Sequence, residues 1–309
     1  MSTIRTDLAL ESSALKNASG RLPGVSVTER SYGRVTECTV TVLDEDGEQA
    51  LGKERGCYVT LSCPQVPTVE PDTRDILVDR VKTVLKSMLP PFGDILVVGL
   101  GNRRITADSL GPKVVDGILV TRHMRGQVPE QLSGRLRSVS AVAPGVLGVT
   151  GMETAEVVRG IVEHVKPAAV IAVDALAARE VTRICTTLQI ADTGIHPGSG
   201  IGNHRMGLNR ETLGIPVIAM GVPMVVYAST IARDALSLLA EDLQMDLQEH
   251  SQALDALVER VVTKQLGDMV VTPREVDERV QHMAEALAMG INYALQPRLS
   301  ESEIPALMH

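Results

Sequence analysis

Two apolar runs constrain this chain more than anything else in it. Ile95-Leu-Val-Val-Gly-Leu-Gly-Asn102 breaks into glycine, and Asp108 follows six residues later. Ala168-Ala-Val-Ile-Ala-Val-Asp174 ends directly on an acid. Short apolar runs of this kind, separated by helical patterns, read as strands of a parallel sheet buried on both faces. In open α/β sheets, chemistry gathers where such strands end. Two carboxylates delivered to one edge can share a proton and activate a water. An acid at a strand end can equally cap the next turn or helix.

The rest of the chain extends the pattern. Strands are expected at 95–100, 138–143, 168–173, 184–190 and 215–221, and helices at 112–122, 152–165, 229–243, 252–266 and 273–289. Capping boxes are read at Thr150-Gly-Met-Glu153 and Thr272-Pro-Arg-Glu275, each opening a helix. Residues 1–70 differ. Alternation over 34–42 and 57–63 suggests strands, Asp44–Gly47 a turn, and the three prolines of 64–71 a linker. A helical stripe then runs through Ile76, Val81, Leu85 and Met88. The expected fold class is α/β: a mixed, mostly parallel sheet flanked by helices on both faces, with an N-terminal β-rich extension.

Composition excludes several functions. Apolar residues make up 44% of the chain but aromatics only 2%, so an aliphatic core is expected, and the scarcity of aromatics argues against stacking platforms for single-stranded nucleic acid. A net charge of −8 without a basic run disfavours nucleic acid as a partner. No apolar stretch reaches membrane-spanning length, and Met1–Asp7 has no signal core. Cys38, Cys57, Cys63 and Cys185 form no Cys-x-x-Cys pair. A cytoplasm-like compartment is expected, with no metal or cofactor.

Other motifs leave alternatives open. Gly99-Leu-Gly101 lacks the third glycine of a dinucleotide fingerprint, because Arg104 stands there. A tight turn with close backbone approach, supporting the site together with Asn102, is the alternative. Gly194–Asn203 is the densest glycine stretch. Gly198, Ser199 and Gly200 could bring backbone N–H groups to a substrate peptide or an oxyanion, or form a plain surface loop. His196 is either a ligand or a hydrogen-bonded structural residue, and Ser199 lacks the Gly-x-Ser-x-Gly setting of a nucleophile elbow.

Taken together these residues resemble the bacterial germination protease family. The likeness rests on Val97–Asn102, Asp108–Lys113, Ala143–Thr154, Ile171–Arg179 and Gln189–Asn203, and extends to Arg5–Ala9 and Val271–Asp277. It implies an endopeptidase, grouped with aspartic peptidases, that degrades small acid-soluble spore proteins during germination. The fold it implies is like that of the hydrogenase-maturation endopeptidases. It further implies a homotetramer in the developing spore, made as a self-processing zymogen. The family's two essential aspartates fall on Asp108 and Asp174. Its cleavage motif falls on Asp7-Leu-Ala-Leu-Glu11, with the cut between Asp7 and Leu8, so that 1–7 is a propeptide and 8–309 one peptidase domain (extension 8–70, core 94–309). The chain departs from the family pattern at Glu180, Met224 and Tyr227. Two other readings stay open: a metal-dependent maturation-type peptidase using Asp108, Asp174 and His196, and a catalytically silent binding protein on the same scaffold.

Overall fold

The computed structural model describes residues 7–11, 22–63, 71–127, 132, 134–196, 206–242 and 269–308. One nine-stranded sheet organises them, in the order β1-β2-β3-β7-β8-β6-β4-β5, with β9 on β8. The strands are β1 Val25–Tyr32, β2 Val35–Val42, β3 Gly56–Ser62, β4 Ile95–Gly99, β5 Val139–Val142, β6 Ala169–Ala178, β7 Thr187–Ala191, β8 Val217–Tyr227 and β9 Val270–Val271. Parallel pairing holds for β5-β4-β6-β8, the half foreseen from the apolar runs. From β8 outward through β7, β3, β2 and β1 the pairs are antiparallel, so parallel pairing does not extend over most of the sheet. The β-rich extension is therefore not a separate layer. It joins the core sheet edge to edge where Tyr58–Ser62 pairs with Thr187–Ala191.

Helices cover both faces. On one side lie α2 (Pro71–Met88), α3 (Leu110–Asp116), α5 (Ala228–Asp242) and α6 (Val276–Leu295), whose Leu85, Val114, Ile231 and Leu287 pack into a core with Val97, Ile171 and Ile190. On the other, α4 (Thr154–Val165) packs Val158 and Val162 against Leu96, Val98, Val170 and Ala172. Burying each such Leu or Val stabilises the fold by roughly 1.5–3 kcal/mol. Gly290 lets α6 approach α2 closely: a Cβ there would lie 2.6 Å from Val81 Cγ1. Asn292 is 3% exposed and fully used, taking the Leu119 N–H at 2.9 Å and donating to the Gly117 carbonyl at 2.8 Å.

Several local expectations shift. Asp44–Gly47 is not a free turn but opens α1 (Glu45–Leu51), with the Asp44 side chain capping the Gly47 N–H at 3.0 Å. Thr150 ends the short helix Leu147–Thr150. The true N-cap of α4 is Glu153, whose N–H is taken by Glu156 at 3.3 Å. Thr272 does not cap α6, which starts at Val276; its hydroxyl donates to the Met224 carbonyl at 2.8 Å. α3 stops at Asp116 because Gly117 closes it back onto Val114 and Val115. β7 starts only at Thr187, because Cys185 sits in a left-handed turn at φ 58. The linker at 64–70 and the helix at 252–266 lie outside the described residues.

Candidate active site

The site starts from the glycines. Gly99 ends β4 with its Cα against α3, where a Cβ would lie 2.2 Å from the Gly111 carbonyl oxygen. Gly101 has φ +106, and a Cβ there would lie 2.1 Å from the Asp108 carbonyl oxygen. These are the close approaches that a side chain forbids. The chain consequently folds back, and the Asn102 N–H donates to Asp108 Oδ2 at 2.8 Å. Asp108 itself closes the 3-10 turn Thr106–Asp108, which packs on β6 and β8.

Asp174 is placed by β6, but not at its end. The strand continues through Ala178, because its register with β8 runs on from Asp174 and Gly221 to Ala178 and Val226. What ends at Asp174 is the other neighbour. β4 pairs with β6 only as far as Gly99 and Val173, after which the Leu100 N–H donates to the Val173 carbonyl at 2.8 Å. Asp174 is thus the first residue of β6 beyond that pairing, 6% exposed, with Oδ1 accepting its neighbour Ala175's N–H at 2.8 Å. Asp108 and Asp174 therefore lie along the same edge of the parallel strands, where β4 ends.

Strand alternation carries the site sideways. Val170 and Ala172 face α4, so Asp174 and Leu176 face that side too. In the register of the sheet, Asp174, Gly221 and Gln189 form one row across β6, β8 and β7. Residues directly opposite one another share a face. Gly221 places no side chain between the two, and Leu176 leans over it, with Cγ 2.5 Å from where a Cβ would stand. The result is a cleft of about 350 Å³, lined among others by Lys53, Tyr58, Leu176, Gln189, His196 and Gly221.

Residues 7–11 lie in and beside this cleft. Asp7 N–H donates to the Ala177 carbonyl at 3.2 Å, and Asp7 Oδ2 takes the Ala177 N–H at 2.9 Å. The Asp7 carbonyl accepts from Lys53 Nζ at 3.1 Å and from Gln189 Nε2 at 3.2 Å, and Ala9 N–H donates to Gln189 Oε1 at 2.7 Å. Leu8, Ala9 and Glu11 are fully buried. The Glu11 carboxylate accepts the N–H groups of Arg179 and Glu180, at 2.8 and 3.0 Å, and forms an ion pair with Arg183 Nε at 3.2 Å. Burial of Lys53 pulls its pKa below the usual lysine range, against the opposing pull of Asp7 and Glu11.

Other expected residues fall outside this constellation. His196 is exposed at the rim, its ring against Gly207. Gly198, Ser199 and Gly200 lie outside the described residues. Among the described residues no three His, Cys, Asp or Glu side chains converge as metal ligands would. Of the positions that depart from the family pattern, Met224 is buried against Cys185 with the two sulfurs 3.4 Å apart, and Tyr227 is 5% exposed at the end of β8. Glu180 pairs with Arg183 at 3.1 Å. Sequence reasoning missed Lys53, Gln189 and Arg183. Gln189 alone carried a signal, a polar residue between apolar Leu188 and Ile190 on a strand.

The chain is similar to known proteins over nearly its whole length. A family model described as "Germination protease" matches residues 5–264. A germination protease of Caldanaerobacter subterraneus subsp. tengcongensis is 43% identical, covering 99% of this chain and 98% of its own. One from Clostridium acetobutylicum is 42% identical over 98% of both chains, and one from Priestia megaterium 35% identical over 98% of this chain and 94% of its own. Among solved structures, the [NiFe] hydrogenase maturation protease HycI from Thermococcus kodakarensis matches at 17% identity and a TM-score of 0.35, over 67% of this chain and 98% of that one.

Proposed function

The chain belongs to the germination protease family and is an endopeptidase, and from that premise we propose that it initiates breakdown of small acid-soluble spore proteins in the spore core. In this reading Asp108 and Asp174 are the catalytic pair. One carboxylate takes a proton from water, and the other, neutral, donates to the departing amide nitrogen. Acids acting together in this way titrate as a coupled pair. Gly99, Gly101 and Asn102 hold Asp108 in place, and a homotetramer is the expected assembly.

The observation that carries the reading is the docked segment Asp7–Glu11. It has the order acid, apolar, Ala, any residue, Glu, and both its acids are held by backbone N–H groups of one strand end, Ala177 for Asp7 and Arg179 and Glu180 for Glu11. A segment tethered this close competes at high effective concentration with any protein substrate. We therefore read residues 1–7 as a propeptide, cut by the enzyme between Asp7 and Leu8 to give the peptidase 8–309. Incubating the purified full chain at mildly acidic pH and measuring intact mass tests this. Loss of Met1–Asp7, followed by cleavage of added small acid-soluble spore protein, is expected. Cleavage of that protein with residues 1–7 still attached would refute the zymogen reading. Processing without any cleavage of spore protein would refute the substrate.

A further inference from the structure

We propose that Lys53 and Gln189 form the electrophilic half of the peptidase centre: they hold the carbonyl of the bond being cut and stabilise the charge that develops on its oxygen. The inference rests on the reading that Asp7–Leu8 is a bond this enzyme cuts. Both side chains donate to the same oxygen, that of Asp7, at 3.1 and 3.2 Å. The Gln189 amide also takes the Ala9 N–H at 2.7 Å, so it straddles the Asp7–Leu8–Ala9 stretch and selects this carbonyl from its neighbours. Asp7 is fixed independently through its N–H and its carboxylate, both on Ala177, three residues past Asp174 on the same strand. Gln189 and Asp174 stand at the two ends of one row, two strand spacings or about 10 Å apart by backbone. Gly221 stands between them without a side chain, and Leu176 covers it.

The chemistry divides along that row. A water gives a proton to one carboxylate of the Asp108 and Asp174 pair, and its oxygen bonds to the Asp7 carbonyl carbon. The carbonyl π pair moves onto the oxygen, between the Lys53 ammonium and the Gln189 amide N–H. When the carbonyl re-forms, the C–N bond breaks and its electron pair stays on the Leu8 nitrogen, which takes a proton from the other acid. The products are a carboxyl group on Asp7 and an amine on Leu8. Donors fixed in advance where charge develops, in a site partly shielded from water, are worth most in the transition state. Lys53 fits that role, since the residue is half-buried with its Nζ on the Asp7 carbonyl, and burial lowers its pKa. A group that merely docks the segment would hold substrate and transition state alike and would leave the chemical step unchanged.

Two readouts on the same full-length samples separate chemistry from docking: the rate of the Asp7–Leu8 cut by intact mass, and hydrogen exchange of the Ala9 amide as the measure of docking. Lys53→Met keeps the aliphatic stem, and Gln189→Glu keeps an acceptor for Ala9 while losing the donor. Each is expected to slow the cut about 100-fold, with Ala9 protection within a few-fold of wild type. Lys53→Arg, which still donates, is expected to recover part of the rate. Cutting within threefold of the wild-type rate would overturn the assignment. So would slowing that tracks the loss of Ala9 protection, which would leave both residues as docking groups. If the wild-type chain is cut at another bond, the processing reading fails and takes this assignment with it. A wild-type cut at Asp7–Leu8 with unaffected variants refutes the assignment alone.

Discussion

Glu11→Gln offers a quantitative test of how the N-terminal segment is held. The carboxylate is fully buried; Oε2 accepts from Arg179 N–H, and Oε1 accepts from Glu180 N–H and forms an ion pair with Arg183 Nε. Glutamine is nearly isosteric but has one acceptor. If its oxygen takes the Oε1 position, its NH2 faces the Arg179 N–H, donor against donor. One charge-assisted bond, of about 1.5–3 kcal/mol, is then lost, and a buried donor goes unsatisfied at a further cost of about 1–3 kcal/mol. Taking about 3 kcal/mol as a conservative sum, docking weakens about 100-fold. The cost falls on docking and not on the fold, because the sheet beneath is paired without the segment. Hydrogen exchange read at Ala9 and Arg179 is expected to speed up by that factor, while the amides of β4 and β8 stay protected. Unchanged exchange at Ala9 and Arg179 would refute the claim that this carboxylate anchors the segment. Loss of protection throughout the sheet would refute the separation of docking from folding.

Two further outcomes follow from the same structure. Gly101→Ala forces a Cβ to within 2.1 Å of the Asp108 carbonyl oxygen at a φ of +106, so the turn must open; thermal unfolding should show a loss of about 1–3 kcal/mol, together with loss of peptidase activity. Burial pushes the thiols of Cys63 and Cys185 up to about 11 from a usual 9.0. Both stay protonated in the native chain while the unfolded chain ionises, so stability is full below pH 9 and falls as pH rises towards 11, by up to about 3 kcal/mol for each thiol. Denaturant titrations at pH 8 and 10.5 check the sign.

What the sequence made legible was whatever buried both faces of a strand. Val97 and Ile171 announced β4 and β6 because parallel strands under two helical layers read as apolar runs. β1 went unseen for the opposite reason: Ser26 to Ser31 all face solvent, and no alternation marks them. Asp174 looked like a strand end because the apolar run stops there. The strand itself continues through Ala175, Leu176, Ala177 and Ala178, whose register with β8 holds them in the sheet. At the site, Asp108 and Asp174 stood out because acids after apolar runs are unusual. Lys53 did not, and Gln189 showed only as a polar residue between two apolar ones, until the turn before β3 and strand β7, distant in sequence, bring them onto one carbonyl. No local pattern encodes that pairing.

The measurement that bears most directly on the catalytic claim is peptidase turnover of Asp174→Asn and Asp108→Asn, with folding checked on the same samples. Asparagine keeps the shape and the acceptor for the neighbouring N–H at each position, but it neither holds nor gives up the proton that the reaction moves. Each variant is expected to remain folded and to lose kcat by at least about 100-fold, the contribution typical of a positioned acid or base. Turnover within a few-fold of wild type in either folded variant would contradict the assignment of the reaction to this pair.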